Sequence, residues 1–426
     1  MILTIAGHTF REVIRKKILH VLIGLGILII VVSPFIPTTD EPDARVKMML
    51  VVFFQVVVLL CIVGVIILSA TSLPHEIEDR TIYGILSKPV SRLKIVAGKI
   101  TGFALISALL LVVLGLVNVV AIQRVSSRLP EEFRGILKAR NEYTASRFSI
   151  HGKSHHVRAG IVWIEGGRTG IALWSFSDLY KKLDNKSSFE VEFNLKIDSS
   201  RKDINTIPLV VGIEDAGAGQ CKTSILSAKI DEPLTVKIDP EFVKKSSILN
   251  ITAFPIHGAD YIGVTQGDAK LYSVRKGFTS NYIKAIGITF LKFLLIITIA
   301  VMGSTYLSAP VSIVSALVVF LCGHILDFVK DFSLAIQRYD VHEHALPAAL
   351  KKPNILLAYI DYLIKKPLEW FSFILPDFKR FDSLKFLLKG INIPLETVGV
   401  SVGYTALYAG ICLCIASIIF KKREFF

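Results

Sequence analysis

The 426-residue chain contains no phosphate-binding loop of the form G-x-x-x-x-G-K-[ST], no H-E-x-x-H pair and no G-x-S-x-G elbow. It therefore lacks the common sequence means of cradling a nucleotide, holding a catalytic zinc or activating a serine. His342-Glu343-His344 is too tightly spaced to put two ligands on one helix face. His151, His155 and His156 have no carboxylate or cysteine at ligand spacing. Gly166-Gly167-Arg168-Thr169-Gly170 reads as a turn, because it has neither the lysine nor the following helix of a phosphate loop. No catalytic residue, metal or cofactor is expected. Cysteine is scarce as well: of five, Cys61, Cys322, Cys412 and Cys414 lie in apolar runs, and Cys221 alone sits in a polar region. That excludes an intrachain disulfide framework there. Acidic residues are outnumbered 35 to 49 by lysine and arginine, giving a net charge of +14. The basic residues are not interleaved with aromatics as in a nucleic-acid surface, and they flank apolar runs. Anionic lipid and membrane orientation account for them, and no nucleic acid is expected as a partner.

Apolar residues are what the chain has in excess, at 52% of the sequence and a mean hydropathy of +0.57. Six runs approach the ~20 residues that a helix needs to cross a bilayer. They are Ile18 to Ile36, Met48 to Ser69, Ile100 to Ile122, Ala285 to Leu307, Val311 to Phe328 and Gly399 to Phe420. Met1 to Lys17 alternates Ile2, Ile5, Phe10, Val13 and Ile14 with His8, Arg11, Arg15, Lys16 and Lys17, the pattern of a helix lying in the headgroup layer. Basic residues precede the first run and populate the second loop (Arg80, Lys88, Arg92, Lys94, Lys99), whereas the first loop carries Asp40, Glu41 and Asp43. The inside-positive rule then puts both termini and residues 73–99 in the cytosol of a plasma (inner) membrane.

Residues 123–282 are of another kind, polar and punctuated by glycine. Phe189, Val191, Phe193, Leu195 and Ile197 alternate with polar residues as in a strand with one buried face. Further short runs, at Gly160 to Ile164, Ile171 to Phe176, Ile207 to Ile213, Thr223 to Ile230, Leu234 to Ile238, Ile248 to Phe254 and Lys270 to Val274, predict an antiparallel sandwich of jelly-roll type outside the membrane. Trp163, Trp174, Tyr180 and Tyr261 are candidates for a ligand surface, with core packing as the alternative for strand tryptophans. Residues 283–328 form the fourth and fifth spans. In 329–398, Asp361, Lys365, Lys366 and Glu369 interrupt the apolar run, so interfacial or re-entrant helices are expected there, before the last span and basic tail of 399–426. Gln55, Asn118 and Lys292 are the polar candidates for a pathway through the membrane, the amides serving otherwise as interhelical hydrogen-bond partners.

The stretch Leu73 to Lys99 sits between two spans and is strongly polar. As a helix it would place Leu73, Ile77, Thr81 and Ile85, with Ile82 and Leu86, on one stripe, and Glu76, Asp79 and Tyr83 on the other. Ser72 could cap its start, Lys88-Pro89 would end it, and Ser91 could cap the next helix. Glu76, Glu78, Arg80-Thr81-Ile82, the run Leu86 to Arg92 and Gly98-Lys99 resemble the cytosolic loop of type-2 ABC exporter permeases, and the basic carboxyl-terminal tail resembles theirs. The resemblance covers residues 1–122 and 281–426 (residues 1–122 being the interfacial helix and first three spans). It implies a six-span α-helical permease with an inserted β domain. In that family the loop is a coupling helix received by a separate cytosolic ATPase subunit, so Glu76, Ile77, Glu78, Asp79, Arg80, Ile82 and Ile85 would contact the ATPase. A second permease, in a homo- or heterodimer, and membrane lipid are the other implied partners. The alternative is a membrane-anchored protein whose β domain recognises glycan or lipid in the envelope, without solute transport.

Overall fold

The computed structural model describes residues 1–39, 43–81, 91–128, 138–152, 155–158, 161–167, 170–177, 189–201, 206–215, 221–229, 233–238, 248–324 and 375–422. Its residues form two compact units, one of Met1–Arg134, Thr279–Lys389 and Ile393–Phe426, the other of Gly135–Phe278 with Gly390–Asn392. Residues 329–374 of the expected interfacial segment, and the candidates Ile82, Ile85 and Tyr180, lie outside the described residues.

The first unit is helical. Helix α1 (Ile2–Arg15) is amphipathic and buries Ala6, Thr9 and Val13. Lys16, in extended conformation, separates it from α2 (Lys17–Val32), which tightens into a 3-10 turn at Ser33–Phe35. Then come α3 (Ala44–Glu78), α4 (Arg92–Ser126), α5 (Phe278–Ser304), α6 (Ala309–His324), the short α7 (Leu384–Leu388) and α8 (Leu395–Lys422). Among the described residues five helices, α2 with its turn, α3, α4, α5 and α8, are long and apolar enough to span a membrane. The expected fifth span corresponds to α6, whose described part is apolar but shorter. Inside α3 the residues Val52–Val57 form a π-helical stretch, a local widening often found at functional positions.

Two glycines let α1 approach α4. A Cβ at Gly98 would lie 2.7 Å from Cβ of Ile5, and one at Gly102 would lie 2.7 Å from Cβ of Thr9 and 3.0 Å from the Ala6 carbonyl oxygen. Their four-residue spacing puts both on one face, the small-residue seam used where membrane helices touch backbone to backbone. The headgroup helix expected for Met1 to Lys17 is thus also a packed element of the unit.

The second unit holds three antiparallel sheets with strand orders β1-β13-β6-β10, β2-β5-β11-β8-β9 and β3-β4-β12-β7. These strands are β1 (Lys138–Thr144), β2 (Arg147–Gly152), β3 (His155–Arg158), β4 (Ile161–Glu165), β5 (Gly170–Ser177), β6 (Phe189–Phe193), β7 (Lys196–Ser199), β8 (Thr206–Asp215), β9 (Cys221–Lys229), β10 (Leu234–Ile238), β11 (Ile248–Pro255), β12 (Asp260–Val264) and β13 (Ala269–Gly277). Their inward residues, among them Trp174, Phe176, Phe193, Leu209, Ile251, Ile262 and Leu271, make one apolar core. The alternating run from Phe189 to Ile197 is two strands in different sheets rather than one, broken at Asn194 and Leu195, with Asn194 N–H donating to the Asp268 carbonyl. Asp260 is fully buried, accepting from the Arg201 guanidinium and, at 2.7 Å, from the Ser199 hydroxyl. Burial raises its carboxyl pKa, but these hydrogen bonds outweigh that and hold it below the usual range. The glycine turn after β4 is required by space: Gly167 has φ +83°, and a Cβ at Gly166 would sit 2.1 Å from the His257 carbonyl oxygen.

Candidate functional site

A cluster of polar side chains joins α3 to α4 near the end of α3. The expected independent helix starting at Ser72 is not what forms there. Helix α3 runs unbroken from the membrane through a buried Pro74 to Glu78, and Arg80, at φ 58°, turns the chain out of it. A proline inside a membrane helix is tolerated because neighbouring helices and side chains satisfy the freed backbone.

Ser72 does not cap a helix start because its hydroxyl is engaged sideways, accepting from Lys99 Nζ at 2.8 Å. The same ammonium donates to Glu76 Oε1. Lys99 and Glu76 side chains are 2% and 13% exposed, so this is a buried ion pair bridging α3 and α4. Oε2 of Glu76 is buried and has no hydrogen-bond partner among the described residues. Burying two charges is favourable only when they satisfy each other. The pair therefore fixes the separation of the two helices close to where α3 ends at Glu78.

A second tie lies beside it. Arg92, in the first turn of α4, donates to the main-chain oxygen of Phe420 near the end of α8 and lies 5.6 Å from that residue's ring centroid. A guanidinium placed there satisfies one of the carbonyls that every helix carboxyl terminus leaves without an internal partner. Ser91 occupies the cap position of α4 in extended conformation, yet its side chain makes no capping hydrogen bond.

The sequence candidates separate accordingly. Glu76 faces inward, onto Lys99; Ile77 is half-buried; Glu78, Asp79 and Arg80 are exposed. Asn118 is fully buried and donates to the Tyr282 hydroxyl at 3.0 Å, tying α4 to α5, which is the structural alternative to a pathway role. Gln55 is exposed within the π-helical stretch of α3. Lys292 Nζ lies 3.0 Å from His324 Nε2, while His324 Nδ1 lies 3.0 Å from the Phe320 carbonyl oxygen. An ammonium needs an acceptor, so Lys292 donates to Nε2 in the tautomer that carries its proton on Nδ1. In the β unit Trp174 is a correction. It is completely buried, with its indole N–H donating to the Thr265 carbonyl at 3.0 Å, and supplies no ligand surface. Trp163 and Tyr261 are half-buried on the face of their sheet turned away from the core, where Trp163 pairs across to Gly263 and Tyr261 to Glu165.

Sequence reading missed the Lys99–Glu76 pair as a unit. The signals were a lysine inside an apolar run and a carboxylate in the last turn of the preceding span, neither of which names the other. The Gly98 and Gly102 spacing was visible as a small-residue repeat.

A search of curated sequences returns no matching protein. Among solved structures, the CBM22-1–GH10 modules of Clostridium thermocellum endo-1,4-β-D-xylanase 10B with xylohexaose align at 10% identity and TM-score 0.19 over 33% of this chain and 27% of that one. The CBM22-1 xylan-binding domain from Paenibacillus barcinonensis Xyn10C aligns at 9% identity and TM-score 0.19, over 32% of this chain and 88% of that one. The chain thus spans about a quarter of the first of these proteins, and likeness at this level identifies neither a fold nor a ligand. Residues 13–138 match the family model described as ABC-2 family transporter protein. That segment contains α2, α3 and α4 with the Lys99–Glu76 pair that joins the last two, so this part of the chain is similar to the membrane domain of ABC-2 family transporters.

Proposed function

We propose that the chain is the permease subunit of an ATP-driven exporter. In this reading it pairs with a second permease and is driven by separate cytosolic ATPase subunits that engage residues 77–91. The observation that carries the reading is the family match over 13–138, which encloses α3, α4 and the residues between them. The buried ion pair that joins these two helices supports it mechanically: a push on the loop reaches both helices together. Ile77, Glu78, Asp79 and Arg80, with Ile82 and Ile85 beyond them, are the proposed ATPase contacts. Glu76 is assigned to holding the loop rather than to the contact itself. Both termini and the loop face the cytosol of the plasma membrane by the distribution of basic residues, and the β unit lies outside. Gln55 and Lys292 are proposed to face the pathway or the second permease.

A mild-detergent pull-down of the tagged chain tests the coupling. Recovery of a cytosolic ATPase should fall when Glu78 and Asp79, both exposed, are replaced by lysine, with the fold intact. Undiminished recovery and transport in that variant would sink the docking assignment.

The outward placement of Trp163 and Tyr261 favours a second reading, in which the β unit binds glycan or lipid of the envelope and the helices act as its anchor. Glycan binding by the full chain, lost on changing both residues to alanine and with no ATPase in the complex, would favour it.

A further inference from the structure

At the end of α4 away from Arg92, a groove of about 1060 Å³ opens between the end of α2 and the carboxyl-terminal part of α4. Its walls include Val31, Phe35 and Val120, which are 55%, 81% and 50% exposed. Side chains this apolar and this open on a spanning helix face hydrocarbon, so the occupant of the groove has an apolar part. Along α4 the lining runs from Val117 to Val125, and Arg128 lies just past the helix end. At 1.5 Å per residue the helical part is about 12 Å. One leaflet of hydrocarbon, half of a ~30 Å core, is about 15 Å thick. The groove thus runs along most of one leaflet and has the volume of a large small-molecule site, for which the usual upper figure is about 1,000 Å³.

Among the described residues the charged lining of the groove is all basic. Arg45, Arg124 and Arg128 line the groove, all three are exposed, and none has a carboxylate within ion-pair distance among the described residues. The nearest described acid in sequence, Asp43, is engaged by Lys47 at 3.0 Å. Three guanidinium groups at the wet end of an apolar groove match an amphiphile with an anionic head, since guanidinium binds phosphate oxygens in a bidentate fashion. Free phosphate would leave the apolar walls unfilled. A neutral protein helix would leave the arginines without a counter-charge.

We infer that this groove binds one anionic phospholipid, its phosphate against Arg45, Arg124 and Arg128 and an acyl chain along the Val120 wall. The site is built from the first three spanning helices of the chain and does not depend on an ATPase partner.

The test uses the full chain in mild detergent, relipidated with phosphatidylglycerol or phosphatidylcholine and read by native mass spectrometry. Wild type should retain one more phosphatidylglycerol than the variant R45Q/R124Q/R128Q, and no such excess of phosphatidylcholine. Each arginine near an anionic surface strengthens binding about fivefold, so the triple variant should bind roughly a hundredfold more weakly. V120W fills the apolar wall while leaving the arginines, and it should remove the same lipid. Because all four positions are exposed, melting should not move. Loss in the arginine variant alone would overturn the acyl groove, and loss in V120W alone would overturn recognition of charge. Equal retention by all three proteins, or of both lipids, would overturn the site altogether. Replacing Arg11 and Arg15 of α1 by glutamine should leave the specific lipid in place; its loss there would move the site to α1 and refute the assignment.

Discussion

The Lys99–Glu76 pair makes the sharpest quantitative prediction. With side chains 2% and 13% exposed, removing either partner strands a buried charge. Such a loss costs about 3–5 kcal/mol, whereas replacing both charges by apolar residues of similar volume is close to neutral or stabilising. Lys99→Met leaves Glu76 without its cation, and Glu76→Leu leaves Lys99 with only the Ser72 hydroxyl of its two described partners. Each single variant should therefore be destabilised by roughly 3–5 kcal/mol, and the double variant by no more than about 1–2 kcal/mol. The readout is thiol labelling of Cys61, which is 1% exposed in the same helix, during denaturant titration in a background with the remaining cysteines changed to serine. Native-like stability of the double variant with loss of the proposed ATPase-driven transport would show that the pair serves transmission and not merely packing. If the double variant loses as much as the two singles together, the charges do not act as a pair and the reasoning fails.

The close approach of α1 to α4 should be sensitive to single methyl groups, since an added Cβ at either Gly98 or Gly102 meets Cβ atoms at 2.7 Å. Gly98→Ala with Gly102→Ala should therefore raise protease cleavage near Lys16, the extended residue after α1. The Asn118–Tyr282 hydrogen bond should contribute modestly: Tyr282→Phe is expected to cost about 0.6 kcal/mol and at most ~1.7 in a double-mutant cycle with Asn118→Leu. Trp174→Ala should cost the β unit about 3–5 kcal/mol, measured as loss of its resistance to limited proteolysis in the full chain. The lowered carboxyl pKa of Asp260 gives a pH dependence with a definite sign. The stability it contributes is fully present above the ordinary carboxylate range and is lost as the pH falls through its depressed folded value. Acid unfolding of the β unit should thus be blunted in Asp260→Asn, which also starts from lower stability at neutral pH.

Much of the architecture is local in origin and so could be read from the chain. Apolar runs of bilayer length are dictated by the absence of water for backbone groups, and α2 to α5 and α8 appear where those runs lie. Alternation in Ile207 to Ile213 and Ile248 to Phe254 became β8 and β11 for the same kind of reason, one face buried and one wet. Strands with mixed composition were not legible: β1, with Lys138, Arg140, Asn141 and Glu142, is a strand because β13 pairs with it, not because of its own pattern. Nor did alternation across Phe189 to Ile197 reveal that the two halves serve different sheets, since pairing partners lie far away in sequence.

The same division holds for the site. Sequence by itself determined that a polar loop separates two spans and that the chain is basic at membrane boundaries, because period, length and charge are properties of contiguous residues. Only the tertiary structure decided that Glu76 pairs with Lys99, that Pro74 lies inside a helix, and that Trp174 is core while Trp163 faces outward. Each depends on which helix or strand lies alongside, and a buried charge or ring takes its role from the neighbour that satisfies it.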